Sequence, residues 1–276
     1  EIANGDWSSD VCSSDLFSSI ENKKDLNSVA VQNVTYSFIF NQNDNNYRNK
    51  NMRLAFCRSC DTSSLFDSQS DISKADGIVP PSCKIGGEDY RNGNAAELLS
   101  YDETLAKKNF NDALLELGSS SVETTILCTE QYESFVKQMV QKLQKTLGVK
   151  FVSTVKVVSE SDLEAAVNDG NYSVAFYPFK AKSSFAGEII EGFDQNNIFG
   201  YESDVLSQKI RNIKNNSGSL EGERSAVADA ENYLVSEAVI MPVFYENSYF
   251  VTSKKTSGIY FYSSADNVCF INAKKS

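Results

Sequence analysis

Between Val122 and Phe179, strand and helix signals alternate in the order strand, helix, strand, helix, strand, and no other stretch limits the fold as tightly. A β-branched run from Val122 to Leu127 is followed by Thr129, a residue type that caps helix N-termini. Apolar residues then recur at Tyr132, Phe135, Val136, Met139, Val140, Leu143 and Leu147, the spacing of one helical face, and Gly148 supplies the stop. A second strand is predicted from Val149 to Val158, a short helix from Ser161 to Asn168 ended by Asp169-Gly170, and a third strand from Tyr172 to Phe179. Strands joined in this way run parallel, and such sheets place binding sites at the carboxyl ends of their strands. A ligand is therefore expected where the third strand ends.

The flanking chain supplies further elements of the same α/β kind. Apolar and aromatic residues alternate from Val29 to Asn41, which predicts a long strand. After a polar loop, Asn51 to Cys60 reads as a helix, and Ile78-Val79-Pro80-Pro81 as an extended loop, because proline removes a backbone donor and biases its predecessor away from helix. Asp102 to Leu117 is a helix closed by Gly118. Further helices are predicted near Phe185 to Phe193, from Ser203 to Ile213, and over Ala226 to Leu234, the last stopping before Pro242. Ile240 to Thr252 is a strand pair or one long strand, and Gly258 to Tyr262 another.

Composition removes several functional classes. A formal net charge of -11 over 276 residues opposes binding to nucleic acid, whose phosphates need a basic face, and opposes a polybasic membrane-surface role. No apolar run approaches the roughly 20 residues of a membrane span. The chain has no histidine, which removes the commonest acid-base group and metal ligand, and no P-loop, G-x-S-x-G or G-x-G-x-x-G stands in the required strand-to-helix context. No catalytic residue, metal site or cofactor is expected. Cys57 and Cys60 form a C-x-x-C pair without a second pair or a histidine, and read as small apolar helix residues. A disulfide among Cys57, Cys60 and Cys83 stays open if the protein is exported.

The first residues are read differently. Trp7-Ser8-Ser9-Asp10-Val11-Cys12-Ser13-Ser14-Asp15-Leu16 resembles a translated sequencing adapter, so residues 1–28 are taken as a truncated, artefactual segment on which no function is placed.

Several segments, in this order, resemble the C-terminal half of the family 5 extracellular solute-binding proteins, the oligopeptide and dipeptide receptors of ABC importers. They are the aromatic strand Tyr36-Ser37-Phe38-Ile39-Phe40-Asn41, the helix start Lys50-Asn51-Met52-Arg53-Leu54-Ala55-Phe56, the Ile78–Pro81 loop, Leu147-Gly148-Val149, and Ile240-Met241-Pro242-Val243-Phe244-Tyr245. The resemblance implies one lobe of the type II periplasmic-binding-protein kind, a mixed sheet flanked by helices, with crossover strands toward an incomplete second lobe. Residues 29–41 would be a crossover strand, 42–245 the C-terminal α/β lobe and 246–276 a return segment.

The resemblance also implies a monomeric receptor that hands a peptide or related small solute to a membrane permease, located outside the cytoplasm in a periplasm or on a lipid anchor. Ligand contacts would come from Ala175, Phe176, Tyr177 and Phe179 on the third strand, with Asn41, Phe244 and Tyr245 facing the cleft. Oligopeptide binders carry a carboxylate in a run resembling Trp-x-x-Asp, whereas Phe176-Tyr177-Pro178-Phe179 has none, which leaves a differently anchored peptide or another solute. The other readings are an α/β enzyme with its catalytic residues upstream, and a plain interaction module.

Overall fold

A computed structural model describes residues 26–62, 65–66, 71–195, 197–262 and 267–275. The adapter-like run, with Trp7 and Cys12, lies outside them. The strand predicted from Val29 is β1, Leu26–Phe40. A turn of helix α1 (Asn45–Arg48) leads to α2 (Lys50–Ser59), each N-capped by the residue before it: the Asp44 carboxylate accepts from the Asn46 N–H and the Asn49 side chain from the Met52 N–H. Three short strands follow, β2 (Ile72–Lys74), β3 (Lys84–Ile85) and β4 (Glu88–Asp89). Helix α3 (Glu103–Leu117) is capped by Asp102 and closed by Gly118 at φ 64°, a left-handed conformation that glycine adopts without steric cost.

The alternating stretch is present as β5 (Val122–Thr129), α4 (Glu133–Leu147), β6 (Phe151–Val158), α5 (Glu160–Asn168) and β7 (Val174–Lys180). Thr129 leads into a 3-10 turn, Glu130–Tyr132, before α4, and makes no side-chain capping bond. Helix α5 starts at Glu160 because the Ser159 hydroxyl accepts from the Asp162 N–H at 3.1 Å. The helix predicted near Phe185 to Phe193 shrinks to α6, Gly187–Glu191. There the Glu188 carboxylate accepts from both the N–H and the hydroxyl of Ser183, which holds the preceding residues in a turn. Helices α7 (Asp204–Asn215) and α8 (Leu220–Ser236) precede β8, Ile240–Ser253.

β8 is one long strand rather than a pair, and Pro242 sits inside it opposite Ser37, where the register with β1 shifts. An irregular position of this kind is where a strand tolerates proline. The short strands β9 (Thr256–Ser257), β10 (Tyr260–Tyr262), β11 (Asn267–Cys269) and β12 (Lys274–Lys275) pair as β10 with β11 and β9 with β12.

The main sheet has the order β2-β8-β1-β7-β5-β6. β5 is parallel to β6 and β7, while β1 is antiparallel to both β7 and β8, so the sheet is mixed. Alternation along the strands sends successive side chains to two cores. On one face Phe38, Phe40, Val174 and Phe176 join Phe56, Phe110 and Met139 from α2, α3 and α4. On the other, Ile39 and Ala175 join Leu163, Ile190, Ile210 and Leu234 from α5 to α8, together with Ile78 and Val79 of the proline loop. The five described cysteines are free. Cys57 and Cys60 lie in the first core and Cys83 in the second, so the sheet stands between them and rules out a bridge to Cys83.

Two buried arginines fasten the connections, and in different ways. Arg53 of α2 is 3% exposed and has no carboxylate partner in the bonds it makes. Its guanidinium donates to the carbonyls of Tyr47 and Arg48 at the end of α1, and to those of Glu237 and Ala238 just beyond α8, at 2.8 to 3.0 Å. Helix C-termini carry unpaired carbonyls and the negative end of the dipole, so one cation serves two of them. Burial pulls the Arg53 pKa down.

Arg91 instead forms a bidentate pair with Glu231 of α8, whose side chain is 1% exposed. Glu231 also accepts from the Val79 N–H and the Tyr90 hydroxyl, both at 3.0 Å. Gly77 lies against this pair, and a Cβ there would fall 2.3 Å from the Arg91 guanidinium.

Candidate functional site

The third strand of the alternating stretch does not end as a closed sheet edge. β5 and β7 pair only at Ile126–Val174 and Leu127–Ala175. Beyond that point β5 continues with β6 as far as Thr129–Val158, and β7 continues with β1 as far as Lys180–Val34. The sheet therefore splits at its carboxyl ends. From Phe176 to Lys180, β7 has one strand neighbour among the described residues, and its other side faces the split. In a parallel α/β sheet this is the place where ligands bind, because unpaired backbone groups and helix N-termini converge there.

The side chains around the split divide by face. Phe176 is 1% exposed and packs at ring-centroid distances of 4.9 to 6.1 Å from Phe38, Tyr36, Phe244, Tyr132 and Phe135. On the opposite face Tyr177 and Phe179 meet edge-on at 5.6 Å, and Phe179 stacks on Phe193 at 5.7 Å; both remain partly exposed.

Two carboxylates approach the rim. The Tyr132 hydroxyl donates to Glu246 Oε1 at 2.5 Å, and Tyr36, which faces Pro178 across the sheet, has its pKa raised by burial first and then by the charges of Glu246 and Glu160. Burial also raises Tyr177, with Glu164 adding to it.

Of the positions expected to meet a ligand, six lie on β7 and β8, the two strands that flank β1. Phe244, Tyr36 and Pro178 form one row across β8, β1 and β7, and Tyr245, Thr35 and Phe179 the next. Ala175, Phe176 and Phe244 are at most 1% exposed, however, and have no side-chain surface to offer. Tyr245 is 3% exposed, and its hydroxyl accepts from the Asp76 N–H at 3.0 Å, fixing the start of the proline loop.

Asn41 lies elsewhere. β1 is antiparallel to β7, so its last residue pairs with the first of β7 and Asn41 sits at the far end of the sheet from the split. Its side chain donates to the Gly170 and Tyr172 carbonyls at 2.8 and 2.7 Å and accepts from the Asn43 N–H. Both its amide hydrogens and one lone pair of its oxygen are spent tying loops together, away from the split. Glu160 and Glu246 went unrecognised in the sequence. The signal for Glu160 was its place directly after a parallel strand and its Ser cap, while Glu246 follows a residue that had been singled out.

No protein-family profile matches the chain. The dipeptide-binding protein DppE of Bacillus subtilis (strain 168) is 24% identical over 232 residues, which cover 81% of this chain and 42% of that protein. Among solved structures, the substrate-binding domain of an oligopeptide ABC transporter from Bacillus anthracis superposes with a TM-score of 0.78 at 16% identity, over 94% of this chain and 52% of that one. Listeria monocytogenes OppA bound to peptide gives 0.76 at 19% identity, over 96% and 53%. The chain thus spans about half the length of the proteins it resembles. It has the mixed α/β fold of their periplasmic-binding-protein-like lobe.

Proposed function

We propose that this chain is the C-terminal half of a family 5 solute-binding protein, the receptor component of an ABC importer, and that it takes a peptide main chain as an added strand against Phe176–Lys180. The split of the sheet after Leu127 and Ala175 carries this reading, because among the described residues it leaves β7 from Phe176 to Phe179 without a strand on one side, at the carboxyl ends of the strands. An added strand is recognised through backbone hydrogen bonds and tolerates varied side chains, which suits a receptor for peptides of many sequences. The likeness to a dipeptide-binding protein and to a peptide-bound OppA supports peptide as the ligand class.

Within this reading Tyr177 and Phe179 contribute partly exposed rings on one face, while Ala175 and Phe176 contribute backbone. Glu160, which has no hydrogen bond or ion pair among the described residues, is the carboxylate free to meet the peptide ammonium. The outer part of the β1–β8 ribbon, Leu26–Val31 against Ser248–Ser253, leads toward a second lobe that closes over the ligand, while the rest of β1 belongs to the sheet of this lobe. The receptor works as a monomer outside the cytoplasm, free or lipid-anchored, and delivers its ligand to a membrane permease.

The test is calorimetric titration of the complete two-lobe protein with a tripeptide and with the same peptide N-methylated at its central amide. Methylation removes one main-chain donor without changing the side chains, so it should weaken binding about tenfold or more, since a hydrogen bond left unmade at a desolvated site costs roughly 1–3 kcal/mol. Equal affinity for the two peptides, or turnover of a small substrate without peptide binding, would sink the proposal.

A further inference from the structure

A second hollow lies at the opposite end of the sheet from the split, and its chemistry is unlike that of the crevice. It is open to solvent, has a volume of about 620 Å³, and is walled by the loop after β1 and the loop before α7, with Gln42, Asn43, Arg48, Arg53, Tyr201 and Glu202 around it. The two loops are locked together: the Gln42 N–H donates to the Phe199 carbonyl at 3.0 Å, and the Asn43 amide packs on Gly200 so closely that a Cβ there would fall 2.5 Å away. Gly200 has φ 67°, so a side chain is disfavoured by the backbone as well.

Three donors at this place are incompletely used. Gln42 is 6% exposed, and its Nε2 is buried without a hydrogen-bond partner. A buried amide nitrogen in that state points to a missing acceptor. Arg48 donates through Nε to the Gln42 carbonyl at 3.2 Å, and its two terminal nitrogens make no hydrogen bond or ion pair among the described residues. Arg53 stands behind them, joined to Arg48 through the Arg48 carbonyl at 2.9 Å; four of its five N–H groups are spent on carbonyls and none on a carboxylate. Two guanidinium groups and an orphaned amide therefore share one polar hollow. Glu202 is the single carboxylate on its wall, and it forms no ion pair with either arginine among the described residues.

We infer that this hollow is a binding site for a small oxyanion, a phosphoryl or carboxylate group, held by the free fork of Arg48 and the Gln42 amide with the Arg53 charge behind them. A planar guanidinium fork matches the paired oxygens of such groups, and no covalent step is involved. The site is separate from the peptide crevice and does not depend on that reading.

The experiment follows the thermal midpoint of the full chain in sodium phosphate, sodium acetate and sodium chloride of equal ionic strength, with the variants Arg48→Gln, Glu202→Gln and, as a charge-matched control remote from the hollow, Lys108→Gln. All three positions are exposed, so the folded state survives each change. Phosphate or acetate should raise the midpoint above chloride in a saturable way. Arg48→Gln should weaken the apparent affinity about tenfold, as expected for one charged hydrogen-bonding partner, and Glu202→Gln should strengthen it several-fold. Lys108→Gln should leave it unchanged. A response to phosphate alone identifies a phosphoryl ligand, and a response to acetate a carboxylate. The inference is overturned if neither anion exceeds chloride, or if Arg48→Gln and Lys108→Gln weaken the response equally, which would mark general screening.

Discussion

Replacing Arg91 by methionine would leave the Glu231 carboxylate inside the protein with two of its four donors. In the native fold that group accepts from Arg91 Nη1 at 2.9 Å, from Arg91 Nη2, from the Val79 N–H and from the Tyr90 hydroxyl, and its side chain is 1% exposed. Val79 and Tyr90 remain in the variant, but the compensating charge is gone. Removing one partner of a buried pair costs about 3–5 kcal/mol, which is roughly two to three and a half orders of magnitude in the unfolding equilibrium.

Replacing both partners, with Arg91→Met and Glu231→Leu together, removes the stranded charge and should recover most of that loss; the remaining deficit comes from the Val79 N–H and the Tyr90 hydroxyl, which lose their acceptor. Urea denaturation of the two single variants and the double variant gives the coupling energy directly. Because Glu231 ties the proline loop to α8, amide exchange at Ile78, Val79 and Tyr90 should accelerate in Arg91→Met before exchange in β1 or β7 changes. A cost below about 1 kcal/mol for Arg91→Met, or a double variant no better than the worse single one, would refute the assignment of a buried pair whose partners depend on each other.

Other expectations follow from the same structure. Arg53→Met strands four carbonyls at two helix ends and should cost about 2–4 kcal/mol in urea unfolding, and Arg53→Lys should recover little, because a point ammonium cannot reach both ends. Gly77→Ala should be far more damaging than Gly118→Ala: at Gly118 a Cβ meets open space and only the left-handed backbone resists, about 1 kcal/mol, whereas at Gly77 it strikes the Arg91–Glu231 pair.

Burial pushes the Cys57, Cys60 and Cys83 thiols up to about 12 from an ordinary 9.0. Each contributes stability that is fully present below pH 9 and is lost as pH rises toward 12, since the unfolded chain releases protons that the folded chain keeps. The unfolding free energy from urea denaturation should therefore fall between pH 9 and 10.5, by up to about 1.4 kcal/mol per pH unit for each thiol fully ionised in the unfolded state. A flat profile would contradict this. In the native protein at pH 8, iodoacetamide should spare these three thiols and, of the described cysteines, modify Cys269 first, as read by peptide mass.

What could be read from the sequence was local. Asp102 and Gly118 bracket α3, Ser203 precedes α7, and the run from Val122 to Phe179 folds as its periodicity says, because in each case the deciding contacts lie within a few residues. The proline loop and the helix start at Arg53 were singled out without their reasons. Those reasons are bonds to Glu231 and to Glu237 and Ala238, more than 130 positions away, which no spacing rule can reach.

The candidate site shows the same boundary. Its strand was legible, but the parting of β5 from β7 is a property of how three strands diverge, and the burial of Phe176 and Phe244 depends on rings contributed by Tyr36, Tyr132 and Phe135. The distance of Asn41 from the split was hidden for a simpler reason. The antiparallel direction of β1 was not fixed by its own sequence, and that direction decides which end of the sheet its last residue occupies.

The central strand has a further consequence during synthesis. β1 is flanked by β7 and β8, so both its neighbours leave the ribosome well after it does, the second from Ile240 onward. At roughly 5–20 residues per second, some tens of seconds of translation separate the strand from its second partner. Through that interval β1, with Val31, Phe38 and Phe40, has two open edges until β7 is made and one until β8 is. Closure of this sheet is thereby deferred until β8 has been made, the costly side of a topology whose central strand pairs with distant segments.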